Sequence, residues 1–142
     1  MEFVKKKFLN KNELPTPKKI ANGKPYKILV CGGSHFESYG LLKVVLSKLI
    51  EEFHVNILTS EIVSGHCQGA DVLGEKYAEE YGISVKAFPA DWGKYKRKAG
   101  PIRNKQMIDY ISGFENKLVV AFATANPVGR DNMLRLIRRH WK

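Results

Sequence analysis

The chain has 142 residues, enough for one domain with a real core and too few for a second of ordinary size. Its 44% hydrophobic content argues against general disorder, and no apolar run nears the roughly 20 residues that span a bilayer. The basic N-terminus is not followed by an apolar signal-peptide core, and Cys31 and Cys67 form neither a CxxC pair nor a disulfide framework. No membrane association is expected, and a reducing, cytoplasmic setting is. The net charge of +10 points to an acidic partner such as a nucleotide or nucleic acid. That charge is uneven: +6 over residues 1–27, −5 over 28–93 and +9 over 94–142.

Residues 1–26 read as a basic arm, because Pro15, Pro17, Pro25, the run Lys5-Lys6-Lys7 and Asn22-Gly23 interrupt any periodic pattern. The domain proper is expected over 27–142. Ile28-Leu29-Val30-Cys31, ended by Gly32-Gly33, has the form of a buried parallel strand. Leu42, Val45, Leu46, Leu49 and Phe53 recur at helical spacing and predict a helix from about Tyr39 to Phe53. Ile57-Leu58 and Glu61-Ile62-Val63 supply a second strand, placed over Glu61 to Ser64. Ala70, Leu73, Tyr77, Ala78 and Tyr81 line a second helix that Gly82 closes. Val85 to Phe88 is a third strand.

A basic loop is expected from Ala90 to Gly100. Pro101 then opens a third helix carrying Met107, Ile108 and Ile111. Leu118 to Phe122 is the clearest buried strand, and a last helix is expected from about Gly129 to His140. Strict β-α alternation predicts an α/β fold, a Rossmann-like parallel sheet with helices on both faces.

Such sheets bind ligands at the C-terminal ends of their strands, here the loops 31–38, 64–71, 89–103 and 123–131. Gly65 and Gly69 permit close backbone approach, and the helix that follows offers free N–H groups to a phosphate or carboxylate. Gly32-Gly33-Ser34 makes a similar turn after the first strand, so the two turns can flank one ligand. Gly-rich turns of this kind also occur with no ligand. Arg103 and Asn104 fall in the expected first turn of the third helix, where an arginine opposes the macrodipole and calls for an anion. An ion pair from Arg103 to Asp71 or Asp91 is the structural alternative. Trp92 is placed to stack on a base, to close a pocket, or simply to pack. Cys31, His35, His66 and Cys67 have the chemistry of metal ligands without an enforcing spacing, so no metal is assigned.

Two stretches resemble a known family. Residues 62–71, Ile-Val-Ser-Gly-His-Cys-Gln-Gly-Ala-Asp, are similar to the signature "vSGgxxGAD" of the YspA-like, cpYpsA-related branch of the SLOG superfamily. Phe88-Pro-Ala-Asp-Trp92 and Ala99-Gly-Pro-Ile-Arg-Asn-Lys-Gln-Met107 are similar to its second signature, "fpAdW…aGpiRNxxM". The resemblance covers roughly residues 27–139. It implies a Rossmann-like fold that binds a nucleotide or nucleotide-derived ligand, such as an ADP-ribose- or NAD-related molecule, often in phage and bacterial conflict settings. DNA-processing DprA proteins and Lonely Guy-type phosphoribohydrolases are distant relatives.

Departures from the pattern are specific. Ser34 stands where the first turn commonly carries arginine, and Gly129-Arg130 stands where the final loop commonly carries Gly-Thr, which makes Arg130 a replacement positive charge. The PGGxGTxxE motif of the phosphoribohydrolases is missing. The expected ligand-binding set is therefore Gly32, Gly33, Ser34, Gly65, Gln68, Gly69, Asp71, Asp91, Trp92, Arg103, Asn104, Gly129 and Arg130. No cofactor is assigned beyond that nucleotide-type ligand. The first reading is a sensor or sequestering module. The alternatives are a hydrolase of N-glycosidic or phosphate bonds using Asp71 or Asp91, and a nucleic-acid binder using the arm and residues 94–98. Homo-oligomer formation stays open.

Overall fold

A computed structural model describes residues 16, 17 and 22–122. Most of the basic arm, the loop after residue 122 and the expected last helix, with Gly129 and Arg130, lie outside the described residues.

The run Ile28-Leu29-Val30-Cys31 has no polar face to give to solvent, so it can be stable only with cover on both sides. All four side chains are buried in β1 (Lys27–Gly32). The chain continues through α1 (Tyr39–Glu52), β2 (Glu61–Ser64), α2 (Ala70–Tyr81), β3 (Ser84–Ala87), α3 (Trp92–Tyr95), a 3-10 turn (Lys96–Lys98), α4 (Ala99–Ser112) and β4 (Lys117–Phe122). The four strands form one all-parallel sheet in the order β3-β2-β1-β4. This is the expected Rossmann-like α/β architecture. Among the described residues no helix is long and apolar enough to cross a membrane.

Alternate side chains of the sheet build two apolar layers. Ile28, Val30 and Ile62 pack with Leu42, Leu46 and Ile50 of α1 and with Tyr77 and Ala78 of α2. Leu29, Cys31 and Val63 point the other way and pack on Met107, Ile108 and Ile111 of α4. Winding runs from β1 through β2 to β3 and then returns to place β4 on the far side of β1. With right-handed crossovers, this reversal puts α4 on the face opposite α1 and α2. The switch point, where open α/β sheets take ligands, thus lies between β1 and β4.

Local chemistry sets the element ends. Ser38 caps α1, its side chain accepting the Leu41 N–H at 3.3 Å. Gly82, at φ 71°, closes α2. Ser47 and Tyr77 join α1 to α2 through a buried 2.8 Å hydrogen bond. Ile57 and Leu58 do not extend the second strand as their apolar character suggests. They lie in a turn in which the Asn56 side chain accepts the Leu58 N–H at 3.0 Å, leaving Ile57 buried and Leu58 exposed.

Helix α2 approaches β1 closely at Gly74, where a β-carbon would lie 2.9 Å from Val30 Cγ1 and 3.0 Å from its Cβ. In an open helix Gly→Ala gains about 0.5–1 kcal/mol. Here the added methyl overpacks the core at a cost of about 1–3 kcal/mol. Gly74→Ala is therefore expected to lower the melting temperature followed by circular dichroism; a rise would mean that α2 stands further off the sheet.

Candidate functional site

At the end of β2 the backbone turns sharply into α2, and several polar groups of the turn find local partners. Ser64 is buried; its hydroxyl donates to Glu75 Oε2 at 2.7 Å and accepts the His66 N–H at 3.1 Å. His66 takes φ 56°, and its Nδ1 lies 3.0 Å from both oxygens of Glu75. Gly69 has φ 97°, and a β-carbon there would stand 2.3 Å from the Gly33 carbonyl oxygen. Only glycine fits such an approach.

The two glycine turns are in this way locked to each other, as their placement after adjacent strands implied. Gly33 donates its N–H to Phe122 O, while its carbonyl accepts from Phe36 and, at 3.5 Å, from Ala70. Among the described residues, the N–H groups of Ser34, His35, Gln68 and Gly69 meet no acceptor. These four donors come from two touching turns at the C-terminal ends of β1 and β2.

Arg103 reaches this junction from the opposite face of the sheet. It belongs to the second turn of α4, because Ala99, Gly100 and Pro101 already form the first. The macrodipole reasoning that singled it out does not apply there, yet the residue proves central for another reason. The side chain is only 8% exposed. One terminal nitrogen donates to Gly65 O at 2.6 Å and lies 3.1 Å from Cys67 Sγ, and Nε donates to Asn104 Oδ1 at 2.9 Å. The other terminal nitrogen has no acceptor among the described residues. No carboxylate forms an ion pair with Arg103 among the described residues, so its fixed partner is a backbone carbonyl rather than Asp71 or Asp91.

Asp71 sits in the same space. Its Oδ2 accepts the Cys67 N–H at 3.3 Å, and a β-carbon on Gly65 would meet Arg103 at 2.7 Å and this oxygen at 2.8 Å. Burial pushes the Asp71 carboxyl up to about 6, against the opposing pull of the Arg103 charge and the Cys67 N–H. Burial likewise pushes the Cys31 thiol up to about 12. Among the described residues no three His, Cys, Asp or Glu side chains are placed to hold a metal ion.

The stretch read as a basic loop contains α3 and the 3-10 turn. Asp91 caps α3, its Oδ1 accepting the Lys94 N–H at 3.0 Å. Between α3 and α4 lies a cleft of about 210 Å³, lined by Pro89, Asp91, Lys94, Tyr95, Ala99, Ile102, Arg103 and Gln106. Trp92 is not among its walls; it is 55% exposed and stands beside Gly100. Gln68 is exposed on the α2 turn, and Asn104 is buried against Arg103. Lys94, Tyr95, Ile102 and Gln106 were missed from sequence, although Ala99, Ile102 and Gln106 share a helical face with Arg103 at spacings of 4, 1 and 3. Glu75 was missed too, with its place one turn after Asp71 as the available signal.

The sequence model of YAcAr, the YspA, cpYpsA-related SLOG family, matches residues 26–95. That segment is SLOG-like in sequence. No curated protein and no solved structure matches it. The SLOG match runs from β1 through α3 and includes both glycine turns, whereas Arg103 and α4 lie beyond it.

The raised carboxyl of Asp71 has a consequence for stability. Its native value, about 6, exceeds the ordinary 3.8, so the native state holds this proton more tightly than the unfolded chain. The resulting stabilisation is complete below about pH 4 and is lost as pH rises through about 6. Asp71→Asn cannot ionise. It is expected to be more stable than the parent at pH 8, by roughly 2–3 kcal/mol, with the gap closing at pH 4 in denaturant titrations. A gap that does not change with pH would show that Asp71 titrates normally.

Proposed function

We propose that this SLOG-like domain binds a phosphate-bearing nucleotide or nucleotide-derived ligand, of the ADP-ribose, NAD or signalling-nucleotide type, acting as a sensor or sequestering module. One observation carries the reading: the buried Arg103 guanidinium lines a cleft, has an uncommitted terminal nitrogen, and has no ion-paired carboxylate among the described residues. A cation withdrawn from water without a paired anion is costly, and a ligand phosphate supplies that anion with bidentate geometry. The N–H groups of Ser34, His35, Gln68 and Gly69, without acceptors among the described residues, add neutral donors of the kind that cradle phosphate oxygens. Gly32 and Gly65 belong to the set as the places where the turns pack closely, Gly32 on Phe122 and Ala70 and Gly65 on Arg103 and Asp71. Asp91, Asn104, and Gly129 with Arg130 complete the proposed set, Asp91 from the cleft wall and Asn104 by orienting the guanidinium.

A nucleotide hydrolase is the second reading, and Asp71 favours it. A carboxyl that changes protonation near pH 6 beside a fixed cation is suited to acid–base work. Asp91 is a weaker candidate, since its Oδ1 accepts the α3 cap bond.

Binding is tested on the full chain by thermal shift and calorimetry with ADP-ribose, NAD and cyclic dinucleotides, together with native mass spectrometry of freshly purified protein. A rise in melting temperature that grows with ligand concentration is expected. Arg103→Gln is expected to weaken binding more than about tenfold, the loss of one charge-assisted contact. The same change also removes the Gly65 carbonyl's partner, at about 1–3 kcal/mol of stability, so affinity is measured well below the variant's own transition. No shift at millimolar ligand and no retained nucleotide would sink the proposal.

A further inference from the structure

Residues 92–98 read Trp-Gly-Lys-Tyr-Lys-Arg-Lys, and their backbone is folded so that the cations face outward. α3 stops after four residues because Lys96 takes φ 53° and ψ −127°. This is a conformation costly for a residue with a β-carbon, by roughly 1–3 kcal/mol. Lys94, Lys96, Arg97 and Lys98 are all exposed. None of the four forms an ion pair among the described residues. Other described lysines are mixed: Lys27 pairs with Glu61, Lys43 with Glu80 and Lys105 with Asp109, while Lys48, Lys76 and Lys86 stand singly with no ion pair among the described residues. Four like charges in five positions repel one another, and soluble surfaces ordinarily intersperse acids among them. The one neighbouring carboxylate, Asp91, is turned to the backbone as the α3 cap. Trp92, at the head of the segment, leaves more than half of its surface in water and lies outside the cleft wall.

We propose that residues 92–98 form a binding surface for single-stranded nucleic acid, in which the four cations follow the phosphates and the Trp92 indole stacks on a base. Cations tracking a backbone, together with an exposed aromatic face, are the two elements that bind unpaired strands without sequence preference. A duplex buries its base faces and would engage the cations alone. An anionic membrane is the less fitting partner, because the segment carries no Leu, Ile, Val or Phe beside Trp92 and Tyr95 to enter the acyl region. Lys94 also lines the cleft beside Arg103, whereas Trp92, Lys96, Arg97 and Lys98 lie outside its wall, so a test on those four can fail separately from the nucleotide reading.

The test uses the full chain and a labelled oligothymidylate of about 20 nucleotides, followed by fluorescence anisotropy between about 50 and 200 mM salt. Binding that falls steeply with salt is expected. The triple variant Lys96→Gln, Arg97→Gln, Lys98→Gln should weaken binding at low salt and flatten the log–log salt slope by up to about 2, at about 0.7 per phosphate contact. Trp92→Leu should weaken it about 5- to 150-fold with the slope unchanged, the signature of lost stacking. All four side chains are exposed, so circular dichroism and melting temperature should stay at parental values. Absence of binding at 50 mM salt overturns the proposal. So does a triple variant with the parental slope, since contact would then be made elsewhere, the arm included. Parental affinity in Trp92→Leu removes the stacking and overturns it as well. Vesicles containing phosphatidylserine are the competing arm: sedimentation with them, lost in the triple variant and without oligonucleotide binding, assigns the surface to membranes instead.

Discussion

A guanidinium that is 8% exposed must have its charge and its donors answered inside the protein, and Arg103 answers them with the carbonyl of Gly65. That 2.6 Å bond joins α4, packed on one face of the sheet, to the turn that enters α2 on the other. The glycine is required by the bond itself, because the space where its β-carbon would stand is taken by Arg103 and by Asp71. Asp71 in turn is desolvated by this crowding, and its carboxyl shifts upward even though a cation stands close by. Three residues separated by up to 38 positions thus constrain one another. None of the three has a role that can be described without the other two.

The sheet order explains why the constraint falls where it does. Reversal of winding between β1 and β4 sends α4 to the face opposite α1 and α2. A side chain from the second turn of α4 can then reach over the strand ends to a turn built from the other face. The contact of Gly69 with the Gly33 carbonyl fixes the β1 and β2 turns as one surface, so the N–H groups that lack an acceptor among the described residues keep a constant relation to each other. Preorganised donors of this kind lose little freedom when an anion arrives.

Which features were legible in the sequence follows from the range of the forces involved. Continuous apolar runs set β1 and β4, helical spacing set α1 and α2, and Gly82 closed α2, all from local pattern alone. The turn at Ile57-Leu58 was misread as approaching strand because its apolar content hides the Asn56 side chain that holds it. α3 was missed because its four residues carry no period; an Asp91 cap and the break at Lys96 define it. Arg103 was found through its supposed helix terminus, whereas its real partner, a carbonyl 38 residues away, leaves no trace in local spacing. The pairing of His66 with Glu75 escaped for the same reason, since it depends on a histidine holding φ 56°.

The positive charge of this chain therefore works in two physically distinct settings. Arg103 is enclosed, so its field is poorly screened by salt and acts over the short distance to the cleft that it lines. Residues 94–98 stand in water, where each charge is screened within a Debye length of about 8 Å at physiological ionic strength and only a polyanion engages several at once. A small phosphate gains little from the exposed cluster, because a lone ion pair in water contributes at most about 1 kcal/mol. A polymer gains little from the enclosed guanidinium, which has one nitrogen without an acceptor among the described residues. The two settings carry the same elementary charge, and what divides them is burial.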